Sequence, residues 1–528
     1  MALQRTIGPW GILFASVGAV IGSGWLFGPF YAAKIAGPAA IFSWIFGGIL
    51  MLFIAFTFVE LSTMLPIAGG IARFSHFSHG TLVSFTMSWC GWLASMVTAP
   101  IETMALLQYA SNYLPWLVHE VNETHVLSLA GMFFAAIVLF VTCLINYFGI
   151  KWVSKTNIAI VAFKIAVPTL TVLFLLYTKF TPSNFVEQGF SPYGWKGVLS
   201  AMPSAGVIFS FIGYNAATQL AGEAKNPEKM IPIAILGSFL ITIILYVALQ
   251  IAFIGAVDLD SSWNTLSFVA DNGPFVGLAT LLGLYGLVLL LYLDAIISPF
   301  GTALVYTSAT ARINYAMSLN GYMPTPLQNL TKRGVPWNAI LVNYLIGLFL
   351  FLPFPGWQSM VKFLVSSFVI SYAVGPIALI ALREKLPNQK RVFSIPFAHP
   401  FCLLSFYICN LLSFWTGWNV ISRLLISIFL GYVFLFFYRR RKKDIMLHVE
   451  NAWWIFPYLI GTGVLSFLGS FGGGLGLLPF GWDFLVIGIF SVAIFYLAKS
   501  LSLQDHHVQE MLADIVGISH TEVDCFKE

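Results

Sequence analysis

Three ionisable residues lie where a chain this apolar should carry none: Glu102, Lys164 and Asp294 each sit deep inside a long apolar run. Holding a charge at the centre of a membrane helix costs at least about 2.5 kcal/mol even on insertion scales, so such residues point to a proton or ion step. Lys164 is the eleventh residue of its run, counted from 154, too deep to carry its ammonium easily to the interface. It is the candidate proton-coupling group. Glu102, two residues after Pro100, and Asp294 are alternative carboxylate partners for it, and Ser298, four residues beyond Asp294, shares that residue's helical face. A coupled lysine–carboxylate pair can trade one proton per half-cycle. The competing readings are a purely structural ion pair, or Glu102 facing a pocket to recognise a cationic side chain while Lys164 or Lys362 favours an acidic one.

A second kind of chemistry is written in Ile21-Gly22-Ser23-Gly24, in the middle of the first apolar run. Three breaker-prone residues at mid-depth predict a helix that stops near Ile21 and restarts near Trp25. The restart offers unpaired N–H groups and a positive dipole end to an anion such as a carboxylate. Close packing of a neighbouring helix on the glycines is the structural alternative. The sixth run repeats the peculiarity in Phe209, Ser210, Phe211, Ile212, Gly213, Tyr214 and Asn215.

The elements that must position these residues follow from composition. With 59% hydrophobic and 9% charged residues the chain is an all-α polytopic membrane protein, in contact with the lipid bilayer throughout. Apolar runs predict spans near 8–34, 38–64, 81–113, 126–147, 154–177, 198–222, 231–256 and 275–305. Six more follow near 337–353, 357–382, 400–416, 419–438, 452–470 and 482–499, about fourteen in all. Basic residues at Lys151, Lys155, Lys225, Lys229, Arg312, Lys332 and Arg333 fall in alternate loops, while His119–His125 and the loop with Asp258, Asp260 and Asp271 carry no Lys or Arg. The positive-inside rule then puts both termini in the cytoplasm of a plasma membrane, in a bacterium the inner membrane. The net charge of +5 follows from this orientation and makes no case for nucleic acid. Five scattered cysteines imply neither a disulfide framework nor a metal site, and adjacent His506 and His507 would point to different helical faces. No nucleophile elbow, His-Glu-x-x-His or phosphate-binding glycine loop stands at either membrane face, which argues against an enzyme and leaves the proton as the only co-reactant, with no cofactor.

The two interrupted runs lie five spans apart. An odd offset reverses the second unit in the membrane, the plan of a five-plus-five inverted repeat with broken helices 1 and 6 meeting at the midplane. Half-helix N-termini there take a carboxylate and C-terminal carbonyls an ammonium, so a zwitterionic amino acid meets both demands.

Four pieces in order carry a family resemblance: Gly22-Ser23-Gly24 with Pro29; Glu60 with Pro66 and Gly69-Gly70; Glu223, Lys225-Asn226-Pro227 and Ile231-Pro232; and Ser308 to Gly321 with Arg312 and Met317. The sequence resembles the amino acid/polyamine/organocation (APC) transporters across residues 8 to 382. The resemblance implies a ten-helix transport core over 1–382, four additional, peripheral spans over 383–500 and a cytoplasmic tail over 501–528. It also implies that Gly22, Ser23 and Gly24 hold the substrate carboxylate, that the backbone of Phe209 to Gly213 receives the amino group, and that Phe209 closes over the substrate. Lys164 resembles the fifth-helix lysine of proton-coupled members, and Ser298 matches their eighth-helix hydroxyl. Trp25, Leu26 and Ile212 depart from the usual residues at their positions. The implied function is proton-coupled amino acid symport by alternating access, most similar to bacterial aspartate or glutamate symporters. Amino acid exchange, polyamine transport and a non-transporting amino acid sensor remain alternatives, and no oligomeric state follows.

Overall fold

A computed structural model describes residues 9–65, 70–121, 124–148, 150–214, 225–259, 262–266, 273–354, 356–389, 391–441, 447–504 and 508. Asn215, Glu223, Pro66, Gly69, Asp260, Asp271, His506 and His507 therefore lie outside the described residues. Among the described residues, ten helices are long and apolar enough to cross a membrane, and shorter apolar helices accompany them. The protein is an integral helical membrane protein.

The first apolar run is two helices, α1 (Pro9–Val20) and α2 (Gly24–Ala36), followed by α3 (Ala40–Met64). An amphipathic helix α4 (Ile71–His79) leads into α5 (Thr81–Ala110). The segment expected only as an outer loop is an antiparallel hairpin, β1 (Val118–Val121) with β2 (Thr124–Leu127). Helices α6 (Leu129–Tyr147) and α7 (Ile150–Thr178) follow, then the short α8 (Gly194–Ser204). A 3-10 turn over Phe209–Tyr214 precedes α9 (Pro227–Ala256).

The eighth span differs from its expected bounds of 275–305. The chain forms a short helix α10 (Pro274–Leu281), turns, and then runs as α11 (Tyr285–Leu319). Its 35 residues make a rod about 52 Å long at 1.5 Å per residue, longer than a bilayer is thick. Arg312 and the stretch read as a loop are thus the last turns of a helix that outruns the apolar layer. The chain continues through α12 (Trp337–Leu350), α13 (Trp357–Tyr372), α14 (Val374–Lys385), α15 (Ala398–Thr416), α16 (Trp418–Arg441), α17 (Ile455–Leu468) and α18 (Trp482–Ser500).

Side-chain chemistry sorts the helices by depth. Helix α5 is enclosed by protein and carries small hydroxyls, Ser84, Thr86, Ser95, Thr98 and Thr103, all buried. Small residues let the α11 and α13 backbones approach it, which is how helices pack where lipid is as apolar as leucine. Helix α6, in contrast, turns Phe133, Phe134, Ile137, Phe140 and Leu144 outward, as a lipid-facing surface requires. Helix α15 packs on α3, α13 and α14, and α16 on α5 and α13, so these later helices are docked on the same bundle as the site.

Two polar locks hold the ends. The Arg383 guanidinium, on α14, donates from Nε to Glu60 Oε1 at 2.7 Å and from Nη2 to Oε2 at 2.6 Å, and the Ile395 N–H adds 2.8 Å to Oε2. Glu60, near the end of α3, is fully buried. At the other lock, the ring of His79 lies between Ala498 O (3.0 Å) and Ser78 Oγ (2.9 Å). Burial pushes its ring down to about 4, and burial, aided by Arg73 and His448, pushes His76 down to about 3. Both rings are neutral in the folded chain and the unfolded chain binds more protons in acid, so their contribution is complete above about pH 6.5 and lost as pH falls towards 4. The stability gap between the wild type and His79→Gln, read as Tm in detergent, is expected to narrow over that window. A constant gap from pH 7 to 4.5 would refute the neutral-histidine account.

Candidate substrate and coupling site

The α1 helix ends where three breakers follow it. Ile21 N–H still reaches Val17 O at 2.9 Å, after which Ile21 to Ser23 belong to neither helix and α2 restarts at Gly24. Orphan carbonyls at such an end must find donors. Gly18 O accepts from Lys164 Nζ at 2.7 Å, and Val20 O accepts from the Tyr246 hydroxyl at 3.2 Å. The single Thr302 hydroxyl proton has two acceptors within reach, Gly18 O at 3.1 Å and Ile21 O at 3.2 Å. Lys164 completes its shell by donating to Thr302 Oγ1 at 2.8 Å. A cation thus caps the negative end of the first half-helix.

Across the break, the Ser23 N–H donates to Glu102 Oε2 at 2.8 Å, and Trp357 Nε1 donates to Ser23 Oγ at 2.9 Å. Gly22 is what admits the carboxylate: a Cβ there would stand 2.3 Å from Glu102 Oε1 and 3.0 Å from Thr302 Oγ1. Gly24 faces the Ser210 side chain, whose hydroxyl is given to Gly206 O at 2.9 Å. Ile21, Ser23 and Glu102 are all buried.

The second interruption falls a few residues before its expected place. Helix α8 ends at Ser204, Gly206 takes φ +89, and Phe209–Tyr214 is already a 3-10 turn. Gly206 supplies the left-handed turn that other residues resist. Gly213 instead marks close approach, since a Cβ on it would lie 2.3 Å from Val20 N and 2.4 Å from Ala19 C. Backbone cannot yield as a side chain can, so Gly213→Ala is expected to push α1 off the turn at a cost of about 1–3 kcal/mol. Uptake by this variant should fall at least about tenfold for a shift of 1.4 kcal/mol or more; wild-type uptake at normal expression would contradict this.

The other expected site residues divide. Phe209 meets Trp357 edge to face at 6.0 Å, and Trp357 also stacks on Tyr31 and packs on Phe27, an aromatic cover over Ser23. Phe211 packs on Trp44, Phe239 and Tyr246, and Tyr214 on Phe58, Phe239 and Tyr372. These two rings face neighbouring helices. Asp294 accepts from Ser298 Oγ at 2.7 Å and from Trp25 Nε1 at 3.2 Å, and is buried. Neither Asp294 nor Glu102 forms an ion pair with Lys164 among the described residues. The hydroxyl on Lys164 is that of Thr302, one helical turn beyond Ser298, which serves Asp294 instead.

Sequence reasoning thus missed Thr302, Tyr246, Trp357 and Gly206. Thr302 continues the stripe Asp294, Ser298 at a spacing of four and was open to the same helical argument. Nothing in the chain's local pattern marks Trp357 or Tyr246.

Discontinuous helices with a cation on one half-helix end and a carboxylate on the other define a class, the polytopic membrane proteins built around intramembrane breaks. Residues 7–465 match the amino acid permease family. The chain belongs to that family. It is similar to the glutamate/serine transporter AimA of Bacillus subtilis (strain 168), with 36% identity over 521 residues covering 96% of each chain. It is also similar to the aspartate-proton symporter of that organism, 34% identical over 509 residues, covering 95% of this chain and 97% of the relative. The branched-chain amino acid permease BcaP of the same species is 27% identical over 461 residues, 84% of this chain and 95% of the relative.

Proposed function

We propose that this protein is a secondary transporter that carries an amino acid together with protons, by alternating access around the paired interruptions of its first and sixth spans. The observation that carries the reading is the Lys164 ammonium on the C-terminal carbonyl of α1 at Gly18, 2.7 Å away, beside a restarting helix whose N–H groups suit a carboxylate. In this reading residues 1–382 are a five-plus-five inverted repeat within about fourteen spans, residues 383–500 support it, and 501–528 form a cytoplasmic tail. In the same reading both termini face the cytoplasm of a bacterial inner membrane, an orientation that the placement of the basic residues between spans supports.

The substrate carboxylate sits at Gly22, Ser23 and Gly24, its amino group near the carbonyls around Phe209, and Phe209 with Trp357 closes over it. Lys164 makes the movement of α1 conditional. While it is charged it holds Gly18; once it gives up its proton the half-helix is freed to rock with its repeat. Relatives named for glutamate, serine and aspartate, matched along nearly the whole chain, support a small acidic or polar amino acid as substrate.

The test is uptake of labelled amino acids into proteoliposomes under an imposed inward proton gradient, with a protonophore control and competition by the full amino-acid set. Accumulation that collapses with the protonophore is expected, with L-glutamate, L-aspartate or L-serine competing best. Uptake seen only after preloading with unlabelled amino acid would identify an exchanger and remove Lys164 as coupler. Binding without movement would identify a sensor.

A further inference from the structure

The N-terminal end of α2 is already in contact with a carboxyl group, and that group belongs to the chain. The Ser23 N–H, the first donor at the restart, is taken at 2.8 Å by a carboxylate oxygen of Glu102 from α5. The approach depends on Gly22, whose missing Cβ leaves the place that Oε1 fills. The second oxygen, Oε1, is buried and has no hydrogen-bond donor among the described residues. A buried carboxylate with one oxygen satisfied and the other bare is the arrangement to which a proton adds most simply.

We infer that Glu102 is a tethered competitor of the substrate carboxylate: its side chain and the amino acid's carboxylate contend for the same amide at Ser23, and the amino acid enters as Glu102 takes a proton and withdraws. This rests on the amino acid reading above and adds to it a step at which a proton and the substrate become linked. Lys164 governs the movement of α1, whereas Glu102 governs entry to the cradle.

The charged and titratable groups around Glu102 come from three elements. Lys164 faces it from α7, Tyr246 from α9 and Tyr306 from α11. Asp294, also on α11, acts on Lys164 and Tyr246 while holding Ser298 and Trp25. None of these donates to Oε1 among the described residues. Ionised Glu102 competes for the amide and protonated Glu102 does not, so lower pH favours substrate and each binding event takes up about one proton. Where Glu102 is ionised, the apparent Kd is expected to weaken by up to about tenfold per pH unit as pH rises.

The experiment is isothermal titration of the purified full-length protein with L-glutamate, L-aspartate and L-serine, in two buffers of different ionisation enthalpy and across a pH series. Wild type is expected to take up about one proton per amino acid bound. Glu102→Gln, which cannot ionise, and Gly22→Ala, whose added methyl expels Oε1, are each expected to show neither proton uptake nor a pH-dependent Kd. Wild type that binds without taking up a proton at every pH of the series overturns the inference by itself, whatever the variants do. Proton uptake that persists undiminished in Glu102→Gln assigns the proton to another group and overturns it too. Wild type that binds no member of the full amino-acid set overturns the amino acid reading and this inference together.

Discussion

Lys164→Gln is expected to abolish accumulation against a gradient while leaving binding and exchange measurable. The glutamine amide is neutral: where it donates towards Gly18 O, now accepting from Lys164 Nζ at 2.7 Å, it does so without the charge that holds α1. What it cannot do is gain and lose a proton. The movement of the half-helix then no longer waits for protonation, and substrate distributes down its own gradient. With an imposed difference of about one pH unit, a one-proton symporter can concentrate substrate up to about tenfold, since 1.4 kcal/mol is a factor of ten. The variant should level near a ratio of about one on the same scale. Steady-state accumulation in proteoliposomes reads this directly, and an unchanged ratio would falsify the role assigned to Lys164. Lys164→Arg is the informative companion. Arginine keeps the charge but cannot release the proton, and its planar fork does not fit the shell of Gly18 O and Thr302 Oγ1. It should bind weakly and transport nothing.

The second large effect is on stability. Glu60 is fully buried and receives both arms of the Arg383 guanidinium as well as the Ile395 N–H. Arg383 also donates to Ile395 O at 3.0 Å and Ser394 Oγ at 3.1 Å, so the carboxylate organises the connection that follows α14. Glu60→Ala removes the only anion on that guanidinium among the described residues and leaves a buried N–H without its acceptor. Removing one partner of a buried pair costs about 3–5 kcal/mol. Against a total of about 5–15 kcal/mol that is roughly a fifth or more of the stability of an ordinary domain. The expected result is a clear drop in Tm in detergent and poor recovery of folded protein. Glu60→Gln keeps the shape and the acceptor oxygen for Ile395, so its loss should be smaller. A Tm for Glu60→Ala equal to that of wild type would show that the ends of α3 and α14 are held by packing alone.

On the proposed reading, the proton chemistry and the stability chemistry are separated along the chain. Glu102, Lys164 and Asp294 are buried beside interrupted backbone with neutral partners, amides, carbonyls and hydroxyls. Glu60 is paired with a permanent cation in bidentate geometry. A group that must change charge is served by neutral donors and acceptors, which tolerate both forms; a group that must not change is served by arginine.

Much of this was legible in the residues. Long apolar runs must be helices in lipid because no other open structure satisfies its own backbone there. Gly22-Ser23-Gly24 pointed to an interruption of the first of them, and the interruption falls at Ile21 to Ser23. The cost of a charge at depth singled out Lys164, Glu102 and Asp294, all of them buried, and the family was legible in motifs spread from Gly22 to Gly321. These are consequences of local composition, which acts at each point of the chain without reference to the rest. The partners were not legible. That Lys164 meets Gly18 and Thr302 and not a carboxylate, that Glu102 reaches Ser23 across 79 positions, and that Trp357 closes over Ser23 across 334 depend on how separate helices cross. The same holds for the second interruption, where Gly206 turns the chain and Gly213 serves contact with α1. A glycine's sequence context is nearly the same in both uses; only the neighbour that approaches it decides which one it performs.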